Sequence, residues 1–128
     1  MIDHISIAVS DLAASAAFYE AVLEPLGLTR LVDRPHTVGF GKRYPEFWLN
    51  ARPEMTGVVD DTGAHICLRA RTKEAVIAFH GAAITMGGRS DGEPGMRDAS
   101  TAPYFASFIR DPDGNKIEAA TFIPTESG

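Results

Sequence analysis

Three side chains far apart along the chain could form one reactive centre: His4, His65 and Glu118. A neutral imidazole offers a nitrogen donor and a carboxylate an anionic oxygen, and two of the first with one of the second suit a divalent transition metal. Three ligands from one side leave coordination positions open, as binding and polarising a substrate requires. An ordinary reading stands beside this one. A histidine near a strand start is commonly a surface or hydrogen-bonded residue, and Glu118 could lie at a sheet edge in solvent. Yet Glu118 is set between Ile117 and Ala119, where a carboxylate is out of place without a partner.

The elements that must carry these residues follow from periodicity. Residues Ile2–Val9 alternate as a strand, with Ile5, Ile7 and Val9 on one face and His4, Ser6 and Ala8 on the other. Ser10 or Asp11 can cap a helix whose apolar stripe is Leu12, Ala16, Tyr19, Leu23 and Leu26; Pro25 weakens its last turn and Gly27 ends it. Strands are expected at Leu28–Val32, Thr37–Gly41 and Glu46–Asn50, punctuated by Pro35, Gly41 and Pro45. Ala51–Gly63 reads as a connection. A second strand, Ala64–Ala70, puts Ile66 and Leu68 on one face and His65, Cys67 and Arg69 on the other. Thr72 caps a helix with Val76, Phe79, Ala83 and Met86 on one side, ending at Gly87-Gly88. Gly88–Pro103, rich in Gly, Pro, Asp and Ser, leaves room for at most a short strand. A hairpin then joins Tyr104–Arg110 to Lys116–Ile123 through Asp111-Pro112-Asp113-Gly114-Asn115, with Lys116, Glu118 and Ala120 sharing a face.

The stretch His4-Ile5-Ser6-Ile7-Ala8 echoes His65-Ile66-Cys67-Leu68-Arg69 about half a chain later, each followed by a helical pattern. The reading is one domain over 1–128, built of module 1 at about 1–52 and module 2 at about 63–124. If the aliphatic strand faces pack on the helices, both histidines point the other way, into whatever cup a curved sheet would form.

Composition bounds the function classes. The 128 residues are 45% hydrophobic, enough to bury a core without disulfides. Twelve Lys and Arg against 17 Asp and Glu give a net charge of −5, which argues against general affinity for nucleic acid or anionic membranes. The single cysteine, Cys67, excludes an internal disulfide and a thiolate zinc site. No stretch has the length of a membrane span and the first residues lack a secretory pattern, so a cytoplasmic setting is expected.

The opening His4-Ile5-Ser6-Ile7-Ala8-Val9-Ser10-Asp11-Leu12, with Ser15 and Phe18-Tyr19, resembles the start of a vicinal oxygen chelate protein. This is the glyoxalase, bleomycin resistance protein and extradiol dioxygenase superfamily. The ending Phe108-Ile109-Arg110-Asp111-Pro112-Asp113-Gly114-Asn115-Lys116-Ile117-Glu118 is closer still to its signature, and with His65-Ile66 the resemblance spans nearly the whole chain. It implies an α+β fold of two βαβββ modules forming a cupped, half-open eight-stranded barrel around a metal. Carried over by position, it implies His4, His65 and Glu118 as metal ligands, with Glu118 secondarily a catalytic base. The ion would be Mn, Fe, Zn, Ni or Co. A homodimer is also implied, its barrels formed within one chain or across two.

The chain departs from the pattern at one place. Glyoxalase I and the epimerase place a fourth ligand on the first module's last strand, where this sequence aligns Trp48, with Glu46 one strand step away. An indole N–H is a donor only and cannot ligate, so glyoxalase I activity is not expected. Among other residues, Trp48, Tyr104, Phe105 and Phe108 could line a ligand cavity or be core. Arg69 could bind a substrate carboxylate or phosphate from inside the cup, or emerge into solvent. Cys67 beside the site reads as redox-sensitive or, more commonly, a small buried thiol. Arg89, Arg97 and Asp98 in the Gly/Pro-rich loop could close over a ligand or, more commonly, be solvated loop charges, and His80 reads as structural. The expected function is a metal-dependent, glyoxalase-like enzyme (lyase, isomerase or group transfer) acting on a small oxygen-bearing substrate by oxyanion stabilisation. The alternative is a metal-free module sequestering a drug-like or aromatic molecule.

Overall fold

The computed structural model describes residues 1–98 and 102–122. The chain runs β1 (Ile5–Val9), α1 (Leu12–Leu23), β2 (Thr29–Asp33), β3 (Thr37–Gly41), β4 (Pro45–Ala51), β5 (Ile66–Arg69), α2 (Lys73–Thr85), β6 (Arg89–Arg97), β7 (Tyr104–Arg110) and β8 (Lys116–Phe122). The order βαβββ therefore occurs twice. The strands form two mixed sheets with the same topology, β1-β4-β3-β2 and β5-β8-β7-β6, in which the first strand of each module runs parallel to its last. The sheets are cupped and separate; they do not close into a barrel.

Local signals explain the helices. Asp11 accepts from the Ala14 amide and Thr72 from the Ala75 amide, each satisfying a donor the first turn leaves orphaned. A 3-10 turn at Glu24–Leu26 takes Pro25 near its start, where proline's missing N–H is harmless. Gly27 closes it with φ 80, in the left-handed region. The helices bury Phe18, Tyr19, Val22 and Leu23 of α1 and Val76, Phe79 and Ala83 of α2. These join Phe40, Phe47 and Leu49 of the first sheet and Ile109, Ile117 and Ala119 of the second in one core. Both modules thus share a single apolar interior.

Three expectations need correction. The strand expected from Ile2 begins at Ile5, because β4 offers partners only from Phe47 opposite Ile5 onward, which leaves Asp3 and His4 exposed. Likewise β5 begins at Ile66, opposite Ile117, so His65 precedes it. The Gly/Pro-rich stretch expected to hold at most a short strand contains the nine-residue β6. Its register shifts between Ser90 and Gly92 and again between Gly92 and Gly95, so the irregular residues are taken up at bulges on an edge strand that tolerates Pro94. Ile123, expected as the end of the last strand, lies outside the described residues, as do residues 99–101 of the preceding loop.

The hairpin is also a clasp between the modules. Asp111 is buried; its Oδ1 accepts from the backbone amides of Asp113 and Asn115, and its Oδ2 from the Tyr19 hydroxyl at 2.6 Å and the Asn115 side chain at 2.9 Å. Asn115 also donates to the Ala8 carbonyl, and Asp113 accepts from the Ser10 amide. The turn itself depends on Gly114, whose φ is 96. Two segments over ninety residues apart, Phe18-Tyr19 and Asp111–Asn115, are therefore one structural unit.

Candidate active site

The register of the second sheet lays out its concave face in rows. Cys67 of β5, Glu118 of β8, Phe108 of β7 and Gly92 of β6 are successive partners across one row. The next row is Arg69, Ala120, Ala106 and Gly95, and the next is Phe122, Tyr104 and Arg97. Residues between these, Ile117, Ala119 and Ile109, turn to the helices, and Ser107 donates to the Val76 carbonyl of α2. The alternation expected for Glu118 between two apolar neighbours is real: it faces the cup while they face the core.

Glu118 is only 4% exposed. Its Oε1 lies 2.9 Å from Nε2 of His65. The His65 ring also packs at 5.8 Å from that of Phe108. A nitrogen and an oxygen donor from adjacent strands thus meet edge to edge, a geometry that can share a proton or an ion. Around the pair, desolvation by neighbouring side chains pushes the Cys67 thiol up to about 12; the Glu118 charge and a hydrogen bond to it add to this, and Arg69 opposes it. Cys67 is exposed, not buried as its small size suggested, but at neutral pH it is a thiol and a poor nucleophile. Desolvation, then the Glu118 charge, also raises the Tyr104 phenol, keeping it a protonated donor beside Glu118.

His4 is placed differently. Its Nδ1 lies 2.7 Å from Oδ1 of Asp3, and both side chains are largely exposed. It borders an open cleft of about 460 Å³ between the first strands of the two modules, together with Glu46, His65 and Cys67. Among the described residues no three His, Cys, Asp or Glu side chains converge closely enough to hold an ion. One chain brings His65 and Glu118 together and leaves His4 across the cleft. Glu46 accepts weakly from the Lys42 amide at 3.4 Å.

The remaining candidates divide between the sheets. Tyr104, Arg69 and Cys67 lie on the Glu118 face, whereas Trp48 lies on the first sheet, its indole against Gly39 and 5.7 Å from the Arg34 guanidinium. Phe108 faces the cup, while Phe105 packs against the core. His80 is buried and bonded to Ser90 at 2.8 Å, a structural role. Arg97, expected in a loop either in solvent or closing over a ligand, lies at the end of strand β6 on the cup face, 5.6 Å over the Phe108 ring. The signal that would have found it was the alternation of β6, which the bulges obscure.

The fold is of the glyoxalase type, paired βαβββ modules with cupped sheets, and within it a glutamate inside the last strand meets a histidine just before the first strand of the same module. The chain belongs to the glyoxalase/bleomycin resistance protein/dioxygenase superfamily, whose family model matches residues 1–119. Among solved structures it is similar to a glyoxalase/bleomycin resistance protein from Albidiferax ferrireducens T118, with 32% identity and a TM-score of 0.81 over 93% of this chain and 97% of that one. A glyoxalase/bleomycin resistance protein/dioxygenase family enzyme from Burkholderia phytofirmans PsJN shares the fold at 19% identity and a TM-score of 0.70, covering 95% and 98%. So does the genomically encoded fosfomycin resistance protein FosX from Listeria monocytogenes, at 15% identity and a TM-score of 0.68, covering 99% and 95%. The comparison with curated proteins gave no match. No helix among the described residues is long and apolar enough to cross a membrane.

Proposed function

We propose that the protein is a metal-dependent, glyoxalase-like enzyme of the cytoplasm acting on a small oxygen-bearing substrate, by lyase, isomerase or group-transfer chemistry. It works as a homodimer in which His65 and Glu118 of one chain are joined by His4 of a second copy. The observation that carries this reading is the 2.9 Å approach of His65 to a buried Glu118 flanked across the strands by Cys67 and Phe108. A buried carboxylate with one imidazole partner is a half-built ligand set, and superfamily membership supplies the expectation of a divalent ion, Mn, Fe, Zn, Ni or Co. Bound there, such an ion would polarise vicinal oxygens and stabilise an oxyanion. Glu118 itself would hold its place through His65 and take a proton only secondarily. The Tyr104 phenol would donate toward the same carboxylate. Within one chain His4 reaches only Asp3, so completion by a second copy accounts for a histidine exposed at a cleft edge.

A complementation experiment tests the arrangement. Metal content is measured on protein purified without added metal, for wild type, His4→Ala and His65→Ala. Each single variant should lose the ion, whereas mixed and refolded His4→Ala and His65→Ala chains should regain it in about a quarter of sites, because only heterodimers rebuild one complete set. No recovery, with light scattering showing a monomer, would refute the shared site.

A second reading has its own support. The absence of a three-donor group among the described residues and the aromatic lining at Phe108, Tyr104 and Phe122 fit a metal-free module that sequesters an aromatic or drug-like molecule. Wild-type protein free of stoichiometric metal that binds a hydrophobic ligand would establish it instead.

A further inference from the structure

The segment that delivers His65 to Glu118 has little apolar packing to hold it. The ladder of β5 begins at Ile66, opposite Ile117, so His65 lies outside the strand. Residues 61–64 before it are exposed, and cavities of about 90 and 130 Å³ border them. Five residue steps separate Asp60 from His65, enough for about 17 Å of extended chain. Within the turn, Gly63 takes φ 82 and the Thr62 hydroxyl accepts from the Ala64 amide at 3.2 Å. Where the imidazole arrives therefore depends on how the linker is tied down upstream.

The ties come from the terminal hairpin. The Val58 amide donates to the Asp113 carbonyl at 2.8 Å, and Nη2 of Arg110 donates to the Asp60 carbonyl. Arg110 is only 7% exposed. Its Nε donates to Asp91 at 3.0 Å and its Nη1 to the Gly114 carbonyl at 3.1 Å, so one planar guanidinium joins β6, the hairpin turn and the linker. Asp91 also pairs with Lys116 at 3.2 Å, and the Lys116 ammonium lies 5.0 Å from the Phe108 ring, against which the His65 ring packs. The 90 Å³ cavity is lined by the turn together with His65, Arg110 and Lys116, so the guanidinium sits directly behind the imidazole's approach. The Asp60 carboxylate, in contrast, meets Arg89 at 2.8 Å in an exposed pair of the kind that contributes little.

We propose that Arg110 is a positioning residue for His65: by holding the Asp60 carbonyl it fixes the exposed turn 61–64 and so delivers the imidazole to Glu118. The buried fork orders the linker before any ligand or ion arrives, which spares binding that cost. This rests on the His65–Glu118 pair being the functional one, and it gives the second module's RDPDGN motif a task beyond its turn: Arg110 reaches back across fifty residues to aim a side chain it does not touch.

The test uses the full-length protein stripped of metal, observed by NMR at one pH, followed by cobalt(II) titration. In wild type the His65 and Phe108 rings should show proton cross-peaks, and the amides of 61–64 should have order parameters near those of the strands, about 0.85. Arg110→Gln should weaken the ring cross-peaks at least threefold and cobalt affinity at least tenfold. Arg110→Lys, which keeps the charge without the planar fork, should fall between. Arg89→Gln, which removes only the exposed pair, and Ser107→Ala, a destabilised control elsewhere in the sheet, should keep both within twofold. Ring contact and cobalt affinity unchanged in Arg110→Gln would overturn the inference, leaving Arg110 a purely structural residue. Equal losses in either control would overturn it too. If neither Arg110 variant folds, the wild-type order parameters decide: values below about 0.6 at 61–64 beside an intact ring contact refute the tether. The two readings fail separately. A wild type that takes up no cobalt, but whose ring contact follows Arg110, refutes the proposed ligand set and leaves the positioning role standing. Cobalt binding that needs His65 and ignores Arg110 does the reverse.

Discussion

Removing the hydroxyl of Tyr19 should cost more than its position, away from the site, suggests. Tyr19 is fully buried and donates to Asp111 at 2.6 Å. Its ring keeps its contacts in Tyr19→Phe, since the neighbours Phe18 and Phe47 lie at 5.0 and 5.1 Å from the ring itself. Only the charge-assisted hydrogen bond is lost, worth about 1.5–3 kcal/mol in a buried setting. Asp111→Ala should cost more, about 3–5 kcal/mol, because it orphans the Tyr19 hydroxyl and the Asn115 amide together with two backbone amides that water can partly reach. Urea denaturation followed by circular dichroism measures both; at roughly 4 °C per kcal/mol, Tyr19→Phe should lower Tm by about 6–12 °C. The pH dependence gives an independent check. Burial raises the Asp111 carboxyl above 3.8, against the pull of its hydrogen bonds to Tyr19, Asn115 and Asp113. The fold therefore binds that proton more tightly than the unfolded chain does. The resulting stability is complete below 3.8 and is lost as pH rises through the folded value, so Asp111→Asn should abolish this slope. A Tyr19→Phe protein within about 0.5 kcal/mol of wild type would show that the clasp adds no net stability.

Other expectations follow from the same geometry. Gly114→Ala must hold φ 96 and bring its Cβ to 2.9 Å from the Val58 carbonyl, so a loss of about 2 kcal/mol or more is expected by denaturant titration. Asp91 shows the opposite pH sign to Asp111. Burial alone would raise it, but Lys116 and Arg110 outweigh that and hold it below 3.8. Its contribution is present above 3.8 and is lost as pH falls through the folded value, so Asp91→Asn should flatten the acid limb of Tm against pH. Ser107→Ala, which removes the bond from β7 to the Val76 carbonyl, should cost about 1 kcal/mol in the same assay. If the proposed ligand set is correct, free cobalt at about a hundred times its Kd should stabilise wild type by about 2.7 kcal/mol and leave His65→Ala unmoved.

Period-two alternation sufficed for most of the strands and for the pairing of faces, because burial on one side enforces it. Thr37–Gly41 appears as read, and Glu118 turns to the cup where its apolar neighbours do not. The alternation fails where strands are irregular. In β6, Gly92, Pro94 and Gly95 erase the pattern that would have exposed Arg97, since bulges insert residues that belong to neither face. Strand starts escape the pattern for another reason. Hydrophobic pattern says where side chains prefer to point, but a ladder begins where a partner strand supplies its first amide, which for β1 is at Ile5. Thus His4 and His65 precede their strands, and how closely they approach each other depends on how two sheets meet, a relation no local pattern encodes.

The terminal hairpin carries two buried carboxylates with opposite tasks, and their environments account for the difference. Asp111 accepts four hydrogen bonds from within the fold and has no acceptor capacity turned toward a ligand. Glu118, seven residues on, accepts from a histidine at the rim of an open face, and its partners Cys67 and Tyr104 are themselves protonated donors. The motif that joins them therefore mixes scaffold and chemistry. Its turn ties helix α1 to the start of strand β8, the strand that carries Glu118 to His65. Loosening the clasp should consequently disturb the site without touching it: Tyr19→Phe should weaken cobalt binding as well as stability. Cobalt affinity that stays at the wild-type level while stability falls would show that the two carboxylates act independently.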